Sequence, residues 1–308
     1  MPTAAVPKGP KGPEGPTGPS GATDPAELAE RYGLSKSSIR PPLGTYLREL
    51  WSRRQFVVSY AGARTYAMYA GARLGSIWQV LTPLLNAAVY YLAFGVLLGT
   101  KNGIDNYVAF LLSGIFVFTF TQRCMTEGSR SLALNLSLIR TLHFPRATLP
   151  LAYVLNELNQ MLVSLLILFG VVGFTDGPAW RWLLVVPAML LQVMFNIGIT
   201  LVFARIGTFV SDVTQLLPFI TRTWLYASGI FFSLPAKLDQ IDAPGWVTQV
   251  LAFNPISAYI DIVRRSLLEE HEKNQLPHAW TIAVVWSFVM LAAGFWYFWR
   301  AEDRYGRG

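Results

Sequence analysis

Chemistry in this 308-residue chain would have to come from a small set of side chains, and their spacing argues against most reactions. A phosphate-cradling loop needs glycine amides followed by Gly-Lys-Ser/Thr, yet no lysine here follows a glycine. Leu112-Ser113-Gly114-Ile115 has only a faint likeness to an ATPase signature and lacks its second glycine. His143, His271 and His278 show no paired metal spacing, and there is no Gly-x-Ser-x-Gly elbow. Cys124 stands alone, so no internal disulfide can form. The sequence therefore predicts no catalytic residue, no metal and no cofactor held by this chain. Two charges stand out instead. Glu157 and Arg222 each fall well inside an apolar stretch, where an ionised side chain costs about 3 kcal/mol on insertion scales. They are expected to pair with each other or to line a polar path. Aromatic residues concentrate in the same stretches: Tyr90, Tyr91, Phe94, Phe116, Trp224, Tyr226, Phe231 and Phe232 are candidates to line a conduit, where flat rings can pack on sugar faces.

The elements that must position these residues are greasy ones. Apolar side chains make up 53% of the chain and charged ones 14%, about half the soluble norm, and mean hydropathy is +0.38. Charge-free windows recur at Leu74–Thr100, Asn106–Gln122, Leu158–Thr175, Trp182–Ala204 and 274–299; another, Val213–Ala236, is broken once by Arg222. Each is read as a transmembrane helix, since about 20 apolar residues cross a bilayer core. The expected fold is all-α: a polytopic membrane protein with six spans. Between spans five and six, Ala243–Ile260 is broken by Pro244, Gly245 and the Asn254-Pro255 pair. There Asn254 can cap and Pro255 can open a second helix, with Arg264 off its apolar face. This predicts an outer, re-entrant helical hairpin.

Residues 1–42 carry glycine in three-residue register, Gly9 to Gly21, and are expected to form a disordered Pro/Gly-rich cytoplasmic tail. In 43–74, Tyr46, Leu47, Leu50 and Trp51 recur at helical spacing among Arg53, Arg54 and Phe56, the pattern of an amphipathic interface helix meeting membrane lipids. Residues 75–299 would be the six-span domain and 300–308 a cytoplasmic tail. Between spans two and three, Gly128–Leu142 reads as one amphipathic helix with Leu132, Leu136 and Ile139 on its apolar face and Arg130 and Arg140 available, ending at Phe144-Pro145. Such a helix is a docking element for a soluble partner. Lys and Arg gather before span one, in this second loop and after span six, so both termini are expected in the cytoplasm. The net charge of +7 is thus a membrane-topology signal, and no nucleic-acid partner is expected.

Taken together, Leu50-Trp-Ser-Arg-Arg-Gln-Phe56, Leu74-Gly-Ser-Ile-Trp-Gln-Val-Leu-Thr-Pro-Leu-Leu85, Asn135-Leu-Ser-Leu-Ile-Arg140, Phe144-Pro-Arg-Ala-Thr-Leu-Pro150 and Asn254-Pro-Ile-Ser-Ala-Tyr-Ile-Asp-Ile-Val-Arg264 resemble the membrane subunit of ABC-2 type polysaccharide exporters. These move lipid-linked O-antigen, teichoic acid or cell-wall galactan. The resemblance implies a plasma-membrane half-transporter that pairs with a second copy of itself and with two separate ATP-binding cassette ATPase subunits, which hold ATP and Mg. It makes Gly128–Leu142 the coupling helix and Leu43–Leu74 the interface helix, and the substrate a lipid-linked polysaccharide, a galactan or O-antigen-like glycan. Family members commonly carry Arg-Asp before span five and Ser-Pro-Ile/Val near its outer end; here Ser211-Asp212 and Ser228-Gly229-Ile230 stand instead. Two alternatives use the same residues differently. A membrane-embedded glycosyl- or acyltransferase would draw on the outer-loop acids Asp239, Asp242, Asp261, Glu269, Glu270 and Glu272. A small-lipid or drug exporter of the same superfamily would need no glycan path.

Overall fold

A computed structural model describes residues 41–308 except Ser76, Leu98, 100–105, His143, Asp176, 233–243, 269–277 and 306–308. The Pro/Gly-rich segment 1–40, His271 and all the outer-loop acids except Asp261 lie outside the described residues. Among the described residues the chain is helical throughout: α1 (Leu43–Ser52), α2 (Arg54–Tyr69), α3 (Ile77–Tyr90) continued by a π-helical turn Tyr91–Leu97, α4 (Tyr107–Arg130), α5 (Leu136–Thr141), α6 (Thr148–Thr175), α7 (Val185–Phe209) entered through Trp180–Leu184, α8 (Asp212–Ala227), α9 (Gly245–Ala252), α10 (Pro255–Leu267) and α11 (Ala279–Trp299).

Among the described residues, five helical stretches are long and apolar enough to cross a membrane: Ile77–Leu97, Tyr107–Arg130, Thr148–Thr175, Trp180–Phe209 and Ala279–Trp299. The window expected as span five is divided. Its helix, α8, has 16 residues and gives way to turns at Ser228–Phe232, where Gly229 takes a positive φ of 64° that glycine tolerates without strain.

Burial ranks the helices. α4 is the axis, with 17 buried residues on all its faces, and it packs against α3, α6, α7, α8 and α10. The most extensive packing is between α7 and α11, where backbones nearly touch: a Cβ at Gly198 would collide with the Met290 carbonyl, and one at Gly294 with the Gly198 carbonyl. Without a solvent-driven hydrophobic force inside lipid, such close backbone approach is a main source of helix association. Polar side chains tie the same bundle: Gln192 Nε2 donates to the Val117 carbonyl at 2.7 Å, and Thr121 Oγ1 donates to Asn196 Oδ1 at 2.8 Å.

Contacts along α4 also order its neighbour. From Gln122 toward Tyr107 it meets Thr221 (Gln122 Nε2 to Thr221 Oγ1, 3.2 Å), Trp224 (edge-on to Phe118, centroids 6.3 Å apart) and Phe231, whose carbonyl accepts from the Tyr107 hydroxyl at 3.2 Å. The run from α8 to Phe231 therefore lies antiparallel to most of α4.

Candidate functional site

The segment expected to be a coupling helix is where the structure departs most from the sequence reading. Gly128–Leu142 is not one helix. α4 ends at Arg130; Ser131 Oγ bonds back to the Gly128 carbonyl at 2.7 Å, and Asn135 Nδ2 bonds back to the Ser131 carbonyl at 2.7 Å. Such local bonding competes with helix continuation. The residues after Arg130 therefore turn through a single 3-10 turn into α5. Leu132 and Ile139 are buried in a core shared with Tyr46, Ala147, Leu201, Phe298 and Tyr305, and Leu136 is half-buried. The face expected to meet a partner thus packs inside its own chain. Arg140, Leu134 and Leu142 face outward, Arg130 is half-buried, Pro145 is buried and Phe144 lies against Phe56 with centroids 5.5 Å apart.

Leu43–Leu74 likewise forms two helices, α1 and α2, with the break at Arg53. Trp51, Arg53 and Arg54 are exposed at that corner, the Arg54 guanidinium 5.5 Å from the Trp51 ring centroid, while Phe56 is half-buried. α2 is bound to the bundle by polar contacts: Tyr60 donates to Asn135 Oδ1 (2.6 Å), Arg64 pairs with Glu127 (2.6 Å) and lies over the Tyr153 ring (3.8 Å), Thr65 donates to Asn156 Oδ1 (2.6 Å) and Tyr69 to Gln160 Oε1 (3.2 Å).

Glu157 and Arg222 are not partners. Glu157, 3% exposed, faces Arg123 across 3.8 Å and accepts from Asn156 Nδ2 at 3.0 Å. The physical reason is position: α4 packs against both α6 and α8, and its Arg123 reaches Glu157 first. Arg123 and Glu157 line a cleft of mixed character with Asn86, Thr119, Gln160 and Ser164 on one hand and Pro83, Ile115, Phe116, Phe120 and Met161 on the other. Arg222 is exposed on α8.

The aromatic candidates divide the same way. Phe231 is the hub: it stacks on Phe94 at 3.9 Å and touches Tyr90 at 5.3 Å and Tyr226 at 5.7 Å. Tyr91 joins a second group through Tyr107 (6.2 Å), Phe232 is half-buried against the core and Tyr226 is exposed. Trp224 donates its indole N–H to Asn254 Oδ1 at 2.9 Å. That oxygen also accepts from the Ile256 amide at 3.1 Å, so Asn254 caps α10 with Pro255 at its first turn. Arg264 corrects the sequence reading. It is 3% exposed, with its guanidinium donating to the carbonyls of Gly229 (2.9 Å), Ile230 (2.9 Å) and Phe110 (3.1 Å). Those carbonyls belong to the end of α8 and to α4, so Arg264 holds the α8 turn in place.

A further cluster was missed because its members lie far apart in the chain. The Tyr46 hydroxyl donates to Glu302 Oε2 at 2.9 Å and accepts from the Ala147 amide at 3.1 Å; the Arg146 amide donates to Glu302 Oε1 at 2.8 Å, and its guanidinium donates to the Glu302 carbonyl. Trp299 Nε1 donates to the Pro41 carbonyl at 3.1 Å. Burial raises the Glu302 carboxyl above its ordinary value despite the donors around it, and burial beside Glu302 raises the Tyr46 hydroxyl well above its own. This clasp joins α1, the segment after α5 and the end of α11. The only signal for it in the sequence is an acid placed just after an apolar helix.

The ABC-2 type transporter family profile matches residues 57–268. Among similar proteins is the O-antigen export system permease protein RfbA of Myxococcus xanthus, 24% identical over 247 residues that cover 78% of this chain and 92% of that protein. Two proteins of the same name from Klebsiella pneumoniae are 27% and 26% identical, each match covering 62% of this chain and 72% of theirs.

Proposed function

The chain belongs to the ABC-2 type transporter family, and from that premise we propose that it is the permease subunit of an ATP-driven exporter of a lipid-linked polysaccharide, a galactan or O-antigen-like glycan. The observation that carries this reading is that relatives named as O-antigen export permeases match it over most of their own length. Two copies of the chain form the path in the plasma membrane. Two ATPase subunits beneath them bind ATP and Mg and do the hydrolysis.

Six crossings with both termini in the cytoplasm fit this reading. Support comes from the Tyr46–Glu302 bond, which puts the start of the described chain beside its end, as an even number of crossings requires. The antiparallel run of α8 to Phe231 along α4 supplies the crossing that length alone does not count. α9 and α10 form the re-entrant hairpin: the Phe253 carbonyl at its bend accepts from Trp286 Nε1 at 3.0 Å, about two turns inside α11. The coupling element is then the outward edge of the Leu132–Leu142 segment, with Leu134, Arg140 and Leu142 meeting the ATPase and Leu132 and Ile139 transmitting its motion into the clasp core.

Depletion in cells tests the function: undecorated lipid-linked glycan should accumulate on the inner leaflet. Co-purification should recover an ATPase partner. If no glycan accumulates and no ATPase is recovered, the exporter reading is wrong. Topology is checked on single cysteines, since native Cys124 is fully buried and silent. Ser137→Cys should react with impermeant maleimide from the cytoplasmic side only, and Trp246→Cys from outside only.

A further inference from the structure

Arg222 is a charge with no partner among the described residues of its own chain. It is exposed, and among the described residues it makes no hydrogen bond or ion pair. Its depth is fixed by its neighbours in sequence, since Thr221 meets Gln122 and Trp224 lies edge-on to Phe118, both in the interior of α4. Gln122 is eight residues from the end of α4, about 12 Å along a helix, and closes the charge-free window 106–122. A guanidinium at that depth is tolerated against water or a polar solute and is costly against lipid tails.

Its surroundings indicate which solute. Gln215, Phe219, Arg222 and Tyr226 fall on one stripe of α8, at spacings of four, three and four, and all four are exposed. Tyr90, half-buried on α3, lies within electrostatic reach of Arg222 and Tyr226. An amide, a phenyl ring and phenols offer hydroxyl-bonding groups and flat faces, which a glycan can use. The guanidinium is different, because it offers paired donors matched to phosphate oxygens. Among the described residues, Glu157 faces Arg123 and Asp212 is ten residues away at the start of α8.

We propose that the stripe Gln215, Phe219, Arg222 and Tyr226, with Tyr90, is the surface along which the substrate moves, and that Arg222 is its specificity-determining residue, engaging a phosphoryl group carried by the glycan or by its lipid link. The inference rests on the exporter reading above. It assigns to one residue the discrimination between charged and uncharged cargo.

The test is ATP hydrolysis by the full chain with its ATPase partner in liposomes, titrated with three probes: a sugar-free polyprenyl pyrophosphate, a soluble oligosaccharide phosphodiester and the uncharged polyprenol. At least one anionic probe should stimulate the wild type. Arg222→Gln should then raise its half-saturating concentration about tenfold or more, the expected loss for one charge-assisted hydrogen bond. Arg222→Lys, which keeps the charge but not the paired donors, should recover only part of that loss, and the melting temperature of both variants should match wild type. The probe that shows the shift identifies its source: the pyrophosphate for the lipid link, the phosphodiester for the glycan. Equal half-saturation in wild type and Arg222→Gln for both anionic probes overturns the proposal. So does a wild type stimulated by a native lipid-linked glycan extract but by neither anionic probe, and that result leaves the exporter reading standing. Absence of an ATPase partner and of glycan accumulation on depletion sinks the exporter reading instead.

Discussion

The clasp around Glu302 and the exposed stripe of α8 handle charge in opposite ways. At the clasp, a buried carboxylate collects donors from Tyr46 and Arg146 and sits in a core with Leu132, Ile139, Phe298 and Tyr305. On α8, Arg222 has no hydrogen-bond or ion-pair partner among the described residues, and its neighbours Phe219 and Tyr226 are 69% and 49% exposed. Buried polar groups that are fully satisfied rigidify a structure, whereas an unpaired charge at membrane depth waits for something outside it. On the exporter reading proposed above, the first is the region that would transmit force and the second the region that would meet cargo. The difference also predicts that substitutions in the first will cost stability and those in the second will cost recognition.

The largest effect should come from the residue that anchors the α8 turn next to the stripe. Arg264 serves the carbonyls of Phe110, Gly229 and Ile230 while itself buried, so Arg264→Met strands three acceptors and should cost at least about 3 kcal/mol. Arg264→Lys should recover little, because an ammonium lacks the planar fork that reaches all three. Thermal unfolding in detergent measures both. If the lysine variant is as stable as wild type, the fork geometry is irrelevant.

Next is the α7–α11 crossing, the packing on which both regions hang. Gly198→Ala would drive a methyl group into the Met290 carbonyl, and forcing the helices apart should cost about 1–3 kcal/mol. Gly170→Ala, where an added Cβ meets nothing within 4 Å, is the control and should leave the melting temperature unchanged. A Gly198→Ala protein that melts with the control would mean the crossing has room to spare.

How much of this was legible in the sequence follows from how local each signal is. The apolar windows announced the long helices, because 20 uncharged residues in a row have few other uses. Asn254-Pro255 announced the start of α10, because a cap and a first-turn proline act on adjacent residues. The segment 128–142 misled for the same reason: Leu132, Leu136 and Ile139 are at helical spacing, but Ser131 and Asn135 bond backward, and the apolar face is claimed by Tyr46 and Phe298 from far along the chain. Arg264 and Glu302 were opaque because their partners are backbone groups and a hydroxyl far along the chain, 34 to 154 residues from Arg264 and 156 to 256 from Glu302. Arg222 was flagged by composition alone, and the partner guessed for it belongs to Arg123.

A smaller effect tests the clasp directly. Tyr46→Phe removes the donor to Glu302 Oε2 and the acceptor of the Ala147 amide, leaving buried groups unsatisfied at a cost of about 1–3 kcal/mol. On the exporter reading, export should fall with it, since Tyr46 shares a core with Leu132 and Ile139 of the proposed coupling element. If stability falls and export per folded molecule does not, the clasp is structural and transmits nothing.

The smallest effect is a pH dependence, and its sign is fixed. Burial raises the Glu302 carboxyl above its unfolded value of about 4.3, so the folded state holds that proton more tightly than the unfolded one. The stability this contributes is fully present below the ordinary glutamate range and is lost as pH rises through the raised value. Glu302→Gln keeps an acceptor for the Arg146 amide and has no proton to lose. Its melting temperature should therefore lie level where wild type declines, from the ordinary glutamate range upward, and at neutral pH it should equal or exceed wild type. A variant that is less stable at neutral pH while the decline persists would mean that Tyr46 and Arg146 more than repay the burial of the charge. The clasp would then be an ionic lock, and its contrast with the unpaired Arg222 would be sharper still.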